Sequence, residues 1–205
     1  MIVMAIFKIF KPLYTVKDLR EKLLYLQGKK ILDSTEIGGE YYDYSVSPLG
    51  VISGGINAAA SDVEGQAKEI KFFHDLFGDS GKILGYHVML DFNCELNPDN
   101  TAIVGSVINE FWSRERVQWV QGLHVYEGDG FYWPHLHMVI STRILDGPMK
   151  GHLLNMNKAL IARYRQHVND VLNGYGISGI PCRNIDTIRL TPHSIGNFDV
   201  SQLFL

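Results

Sequence analysis

His135 and His137, separated by one residue in Pro134-His-Leu-His137, carry the strongest chemical signal in this chain of 205 residues. The run HLHMVIS alternates with the period of two that a β-strand imposes, so both imidazoles leave one face. Upstream, WVQGLHV is rich in β-branched and aromatic residues and reads as a second strand, with Gly128-Asp129-Gly130 breaking the pattern between the two. A hairpin that turns near Gly130 puts His124 roughly opposite the His135–His137 pair, where facing Cβ atoms lie about 5 Å apart. Three imidazoles converging on one point, with a coordination position left for water or substrate, form the ligand count of a catalytic metal site rather than a closed structural one. Imidazoles alone do not select the ion: an oxygen-preferring ion such as Mg²⁺ or Mn²⁺ and a borderline ion such as Zn²⁺ can both be argued. The plainer alternative is a set of hydrogen-bonded core histidines.

Phe131-Tyr132-Trp133 lie in the loop beside this site. Consecutive aromatics next to a basic groove suit single-stranded DNA, whose bases stack on them whatever the sequence, and Tyr132 and Trp133 are the candidates for that role. A hydrophobic plug for the hairpin is the competing reading. The net charge of −3 argues mildly against a nucleic-acid partner, but the charges are unevenly placed. Residues 1–30 hold seven Lys/Arg against two acids, residues 143–190 seven against three, and residues 31–142 five against sixteen. The two basic segments are expected to form one face around the histidines. His87, on the strand before the hairpin, reads as a packed strand histidine, with a place beside the site as the alternative.

The elements that must hold these residues follow from periodicity and caps. Residues 3–11 read as a strand. Thr15 with Asp18 caps a short helix, VKDLREKLLYLQ, whose buried side is Leu19, Leu23, Leu24 and Leu26, with Tyr25 at the edge of that stripe. Residues 29–48 read as a loop or irregular strands. A strand at 50–57, a helix from Ser61 to Phe77 and a strand at 84–92 follow, then a helix at about 98–114 that Pro98 opens. After the hairpin, Asn155 is expected to cap an amphipathic helix to about Asn173, and residues 186–190 to add a short strand. The hairpin requires an antiparallel pair at its centre. The chain therefore reads as one α+β domain, 1–205, with an antiparallel sheet covered by helices; it is open to being the N-terminal part of a longer protein. MIVMAIFKIF is apolar but lacks the basic flank and cleavage site of a signal peptide, and no run is long enough to span a bilayer. Cys94 and Cys182 form no metal spacing and fit a reducing cytosol.

The Pro134-His-Leu-His137 block with an upstream histidine ending another strand resembles the metal motif of HUH endonucleases, and within them the relaxase/mobilisation nucleases. Gly50-Val-Ile-Ser-Gly-Gly-Ile-Asn57, then a helix, then Gly85-Tyr-His-Val-Met-Leu-Asp-Phe92, is similar in order and spacing to the blocks that precede the histidines in that family, so residues of about 3 to 180 are covered. The resemblance implies a sheet of about five strands with the histidine motif on central strands. It implies a divalent-metal-dependent, strand-specific DNA relaxase that nicks an origin of transfer and starts conjugative mobilisation of a plasmid or integrative element. Its partners would be single-stranded DNA, accessory mobilisation proteins and a coupling protein, in a bacterial cytoplasm.

Such enzymes attack phosphorus with a tyrosine on the first helix after the N-terminal strand. Leu24-Tyr25-Leu26-Gln27-Gly28-Lys29-Lys30 looks like that block, which makes Tyr25 the nucleophile, with Lys29 and Lys30 near it to meet phosphate. Tyr14 and then the Tyr41/Tyr42/Tyr44 cluster come next. The family often carries an acid two residues after its first histidine; here Tyr126 stands there, so Glu127, Asp129 or Asp91 is left to support the imidazoles. Two alternatives stay open. A rolling-circle initiator or transposase of the same superfamily would use Tyr164 or Tyr175, and a non-catalytic module would hold a stabilising Zn²⁺.

Overall fold

The computed structural model describes residues 6–26, 44–55, 59–60, 62–78, 82–91, 98–128 and 131–175. Nine elements follow one another: β1 (Ile6–Leu13), α1 (Val16–Leu26), β2 (Tyr44–Gly54), α2 (Val63–Leu76), β3 (Gly85–Asp91), α3 (Pro98–Arg114), β4 (Trp119–Gly128), β5 (Phe131–Ser141) and α4 (Lys158–Gly174). The strands form one antiparallel sheet in the order β1-β3-β5-β4-β2. The β4–β5 hairpin thus lies in the interior of the sheet, with two strands paired to one side of it and one to the other.

Alternation along the strands divides the sheet into two faces. Leu136, Met138 and Ile140 of β5, with Val88 and Leu90 of β3 and Trp119 and Leu123 of β4, pack against Val104, Ile108 and Trp112 of α3 and Leu160, Tyr164 and Val168 of α4. Val139 and Val120 face the other way, onto Leu19, Leu23 and Leu26 of α1 and Ala67 and Ile70 of α2. Each Leu or Ile so buried contributes about 2 kcal/mol before its ordering cost. In β1 the register slips between Ile9 and Pro12. The extra residue reverses the parity, so Phe7 and Ile9 join the α3/α4 core and Leu13 joins the α1/α2 core. Pro12 is tolerated there because β1 is an edge strand.

Local chemistry sets the helix starts. At α1, Thr15 N–H donates to Asp18 Oδ2 (2.9 Å) and Asp18 N–H donates to Thr15 Oγ1 (3.0 Å), the reciprocal box expected from the sequence. The buried stripe of α1 differs from the expected one: Tyr25 is buried with Leu19, Leu23 and Leu26, and Leu24 is only half-buried. The register of α1 places Tyr25, not Leu24, against the sheet. Other boundaries also shift. β2 begins at Tyr44, inside the stretch read as irregular, because β4 supplies it a partner from far along the chain. α4 is capped by Asn157, whose side chain accepts from Leu160 N–H (2.9 Å), rather than by Asn155. The strand expected at 186–190 lies outside the described residues.

Candidate metal centre

On the α1/α2 face, the register of the hairpin sets His124 directly opposite His135 and Gly122 opposite His137. All three histidines are buried, and their ligand atoms lie within 4.8 Å of one another. Nitrogens that share one ion at about 2.1 Å stand about 3.4 Å apart, so closure of roughly an ångström converts the triad into a ligand set. Ring centroids are 4.8 Å apart for His124–His137 and 5.1 Å for His135–His137. Three neighbouring imidazoles repel when protonated, which favours the neutral, ligating form. Burial and then the His135 charge hold His124 down to about 4, and burial with the charges of His124 and His87 holds His137 well below the usual range. The donor set therefore fits a divalent ion at neutral pH.

Tyr25 comes from α1 to the same place. Its hydroxyl lies 3.2 Å from His137 Nε2, and its ring stands edge-on to His124 and His137 at 4.8 and 4.9 Å. Two further contacts fix this approach. His124 Nε2–H donates to the Leu26 carbonyl (3.3 Å), one residue beyond Tyr25. Gly122 lets that carbonyl reach the sheet: a Cβ on it would collide with Leu26 O and stand 2.9 Å from its carbonyl carbon.

Three residues at the site carried weak signals in the sequence. His87 Nε2 lies 2.9 Å from His137 Nδ1, and Phe10 stacks on the His87 ring at 4.4 Å and 14°. His87 is thus both the packed strand histidine expected and a direct neighbour of a candidate ligand. Burial holds His87 and His137 neutral, and positive charge adds to it, from Lys22 at both and from Lys8 at His87. Lys22 lies one helical turn before Tyr25, a spacing that marks it in retrospect. Lys29, Lys30 and Asp129 lie outside the described residues. Glu127 pairs with Tyr132 at register positions of opposite parity to the His124–His135 pair, whereas Trp133, paired with Tyr126, shares the histidines' parity. Asp91 is the remaining carboxylate candidate; it pairs with His135 across β3–β5.

Among the described residues the second basic segment is divided: Arg143 lies over the Phe77 ring beyond α2, whereas Lys158, Arg163 and Arg165 lie on α4, which packs across the sheet from the histidines, and Arg163 binds Glu115 (2.6 Å). Tyr164 is on that far side too, fully buried among Phe7, Phe111 and Trp112, and burial pushes its hydroxyl above the ordinary range. Tyr175 is exposed at the end of α4, and Tyr14 is exposed before α1.

The depressed histidines make stability acid-sensitive. Unfolded histidine takes up a proton below about 6.5, while folded His124 does so only near 4, so protons favour the unfolded chain in that window. His124 alone accounts for about 3 kcal/mol lost as pH falls from 6.5 to 4. His74, held to about 4 mainly by burial, adds to it. Urea midpoints of the metal-free protein should fall steadily across this interval and stay level above pH 7. A midpoint unchanged between pH 7 and 4.5 would remove this account.

No protein-family model and no curated protein matches the chain. A solved structure described as "Molecular Basis of Vancomycin Resistance Transfer in Staphylococcus aureus" is similar, with a TM-score of 0.51 and 15% identity over 88% of this chain and 99% of that one. At that identity the likeness is one of fold. Among the described residues no helix is long and apolar enough to cross a membrane.

Proposed function

We propose that the protein is a metal-dependent DNA relaxase, which nicks one strand at an origin of transfer through a 5′-phosphotyrosyl link on Tyr25 and begins conjugative mobilisation. The observation that carries this reading is the Tyr25 hydroxyl 3.2 Å from His137 Nε2, inside a buried cluster of three histidines. A phenol beside a metal-ligand set is equipped to attack a phosphodiester. The fold likeness to a structure described by its part in resistance transfer in Staphylococcus aureus supports the conjugative setting.

Tyr25 Oη attacks phosphorus, a P–O bond to the phenol forms, and the bond to the 3′ oxygen breaks. The phenol's proton is lost as it attacks and the departing oxygen takes one up, so a 3′-hydroxyl is left and no water is consumed. The bond energy stays in the protein–DNA link, which lets the strand be rejoined. A divalent ion held by His124, His135 and His137 would supply Lewis-acid stabilisation of the non-bridging oxygens, with Mg²⁺ or Mn²⁺ as the expected ion and Zn²⁺ as the alternative. Lys8 and Lys22 add positive charge for the phosphate, together with Lys29 and Lys30 from the sequence. Trp133, at a register position of the histidines' parity, is the proposed stacking residue for single-stranded DNA at the site, and Tyr132, of the opposite parity, would extend the contact past the strand.

The test uses single-stranded oligonucleotides tiled across the DNA neighbouring the gene, incubated with protein and Mn²⁺ or Mg²⁺ and resolved on denaturing gels. A metal-dependent protein–DNA adduct at one site, lost in His135→Ala, is expected; absence of any adduct across the tiling would overturn the reading. Tyr164→Phe should form the adduct at an undiminished rate, since Tyr164 is across the sheet from the histidines. Loss of the adduct in that variant, with an unchanged melting temperature, would instead favour a nucleophile on the last helix.

A further inference from the structure

Every imidazole that binds an ion through one nitrogen must carry its proton on the other, and that N–H needs an acceptor. For His137 the geometry is specific. Nε2 is the nitrogen 3.2 Å from the Tyr25 hydroxyl, on the side of the cluster, and Nδ1 is 2.9 Å from His87 Nε2. The sequence pointed to a carboxylate for this kind of support, but the group that meets Nδ1 is another histidine.

We infer that His87 is the positioning residue of the metal centre: its Nε2 accepts the His137 Nδ1–H, which keeps the His137 Nε2 lone pair directed at the ion and the substrate. This rests on the metal-centre reading above. Burial keeps the His87 ring, which is 5% exposed, in its neutral form, and the charges of Lys22 on α1 and Lys8 on β1 act in the same direction. Phe10, stacked on the His87 ring, restrains it from swinging out of line with the His137 ring, whose centroid is 5.0 Å away at an interplanar angle of 27°. His87 is one strand further from the cluster than His137: it pairs in register with Val139, and His137 with Met89. It therefore acts through His137 and is not itself a ligand.

Fixing one tautomer matters because the other is inert. If Nε2 of His137 held the proton, the site would have two donors in place of three, and the affinity of a three-histidine site depends steeply on its third ligand.

Two measurements test this. In metal-free protein labelled with ¹⁵N-histidine, His137 should show the Nδ1–H tautomer and His87 an unprotonated Nε2; the opposite assignment for His137 overturns the inference. Calorimetric titration with Mn²⁺ should then show His87→Leu binding about tenfold to a hundredfold more weakly than the unaltered protein, and His87→Gln, whose amide oxygen reaches the same N–H, recovering most of that loss. Equal affinity in all three, or a Gln variant as weak as Leu, overturns it. Melting of the metal-free proteins monitors folding, and should His87→Leu fail to fold, the shorter His87→Asn against His87→Gln gives the same contrast. His135→Ala is the control that separates the two claims: if the unaltered protein binds no better than it, the metal centre itself is refuted, and if it does while His87→Leu equals the unaltered protein, only the role of His87 is.

Discussion

Tyr25→Phe is expected to reduce the covalent protein–DNA adduct by at least about a thousandfold while leaving metal affinity within about threefold of the unaltered protein. The change removes one oxygen atom from a ring that α1 and the sheet otherwise hold in place. Leu19, Leu23 and Leu26 still seat the helix, and the edge-on contacts with His124 and His137 do not depend on the hydroxyl. The lost hydrogen bond to His137 costs about 1 kcal/mol of stability, so the variant should melt within a few degrees of the unaltered protein. That separation of effects is the signature of a nucleophile. An adduct that persists in Tyr25→Phe moves the chemistry elsewhere, first to Tyr14, which is exposed just before the helix. Metal affinity that falls in step with the adduct would instead make the phenol a support for the cluster.

Gly122→Ala is expected to be nearly as damaging, by a different route. The new methyl has nowhere to go, because what it meets is backbone, the Leu26 carbonyl group and Cα, rather than the end of a flexible side chain. Relief requires α1 to lift from β4. The His124–Leu26 hydrogen bond and the burial of Leu23 and Leu26 resist that, so the strain should appear as a loss of about 1–3 kcal/mol in stability. The functional loss should be larger. Displacement of the helix end carries Tyr25 away from His137, and an ångström of misplacement at a reacting centre costs on the order of a hundredfold in rate. Adduct formation measured below the variant's melting temperature gives the answer, and a rate within threefold of the unaltered protein would show that α1 does not need this close approach.

The histidine hairpin was legible in the sequence because its signals are local. Alternation, the Gly-Asp-Gly break and the His-x-His spacing all fall within one stretch, and the register that results sets His124 opposite His135. The reciprocal cap of α1 was legible for the same reason. The stripe of α1 was misread by one residue, since helical periodicity does not tell which of two adjacent residues meets the sheet, and Gly122 on a distant strand decides it. His87 was read first as a packed strand histidine, with a place beside the site second, for a related reason: it lies in a mostly apolar strand, and the pairing of β3 with β5 is what brings it beside His137. The charge pattern did not tell that the cations of α4 lie across the sheet, because a linear count does not record which side of the sheet a helix occupies.

The strand order has a consequence for how the chain is made. Among the described residues β2 pairs with β4, and β3 completes its pairing with β5, so much of the sheet waits for the central hairpin to be synthesised. Tyr25 precedes the histidine it touches by 112 residues. On a ribosome adding about 5–20 residues per second, the first helix therefore spends several seconds without the surface that buries it. The hairpin, by contrast, closes within microseconds of its own completion. The central hairpin brings the three histidines together, and the much older helix α1 then docks onto them.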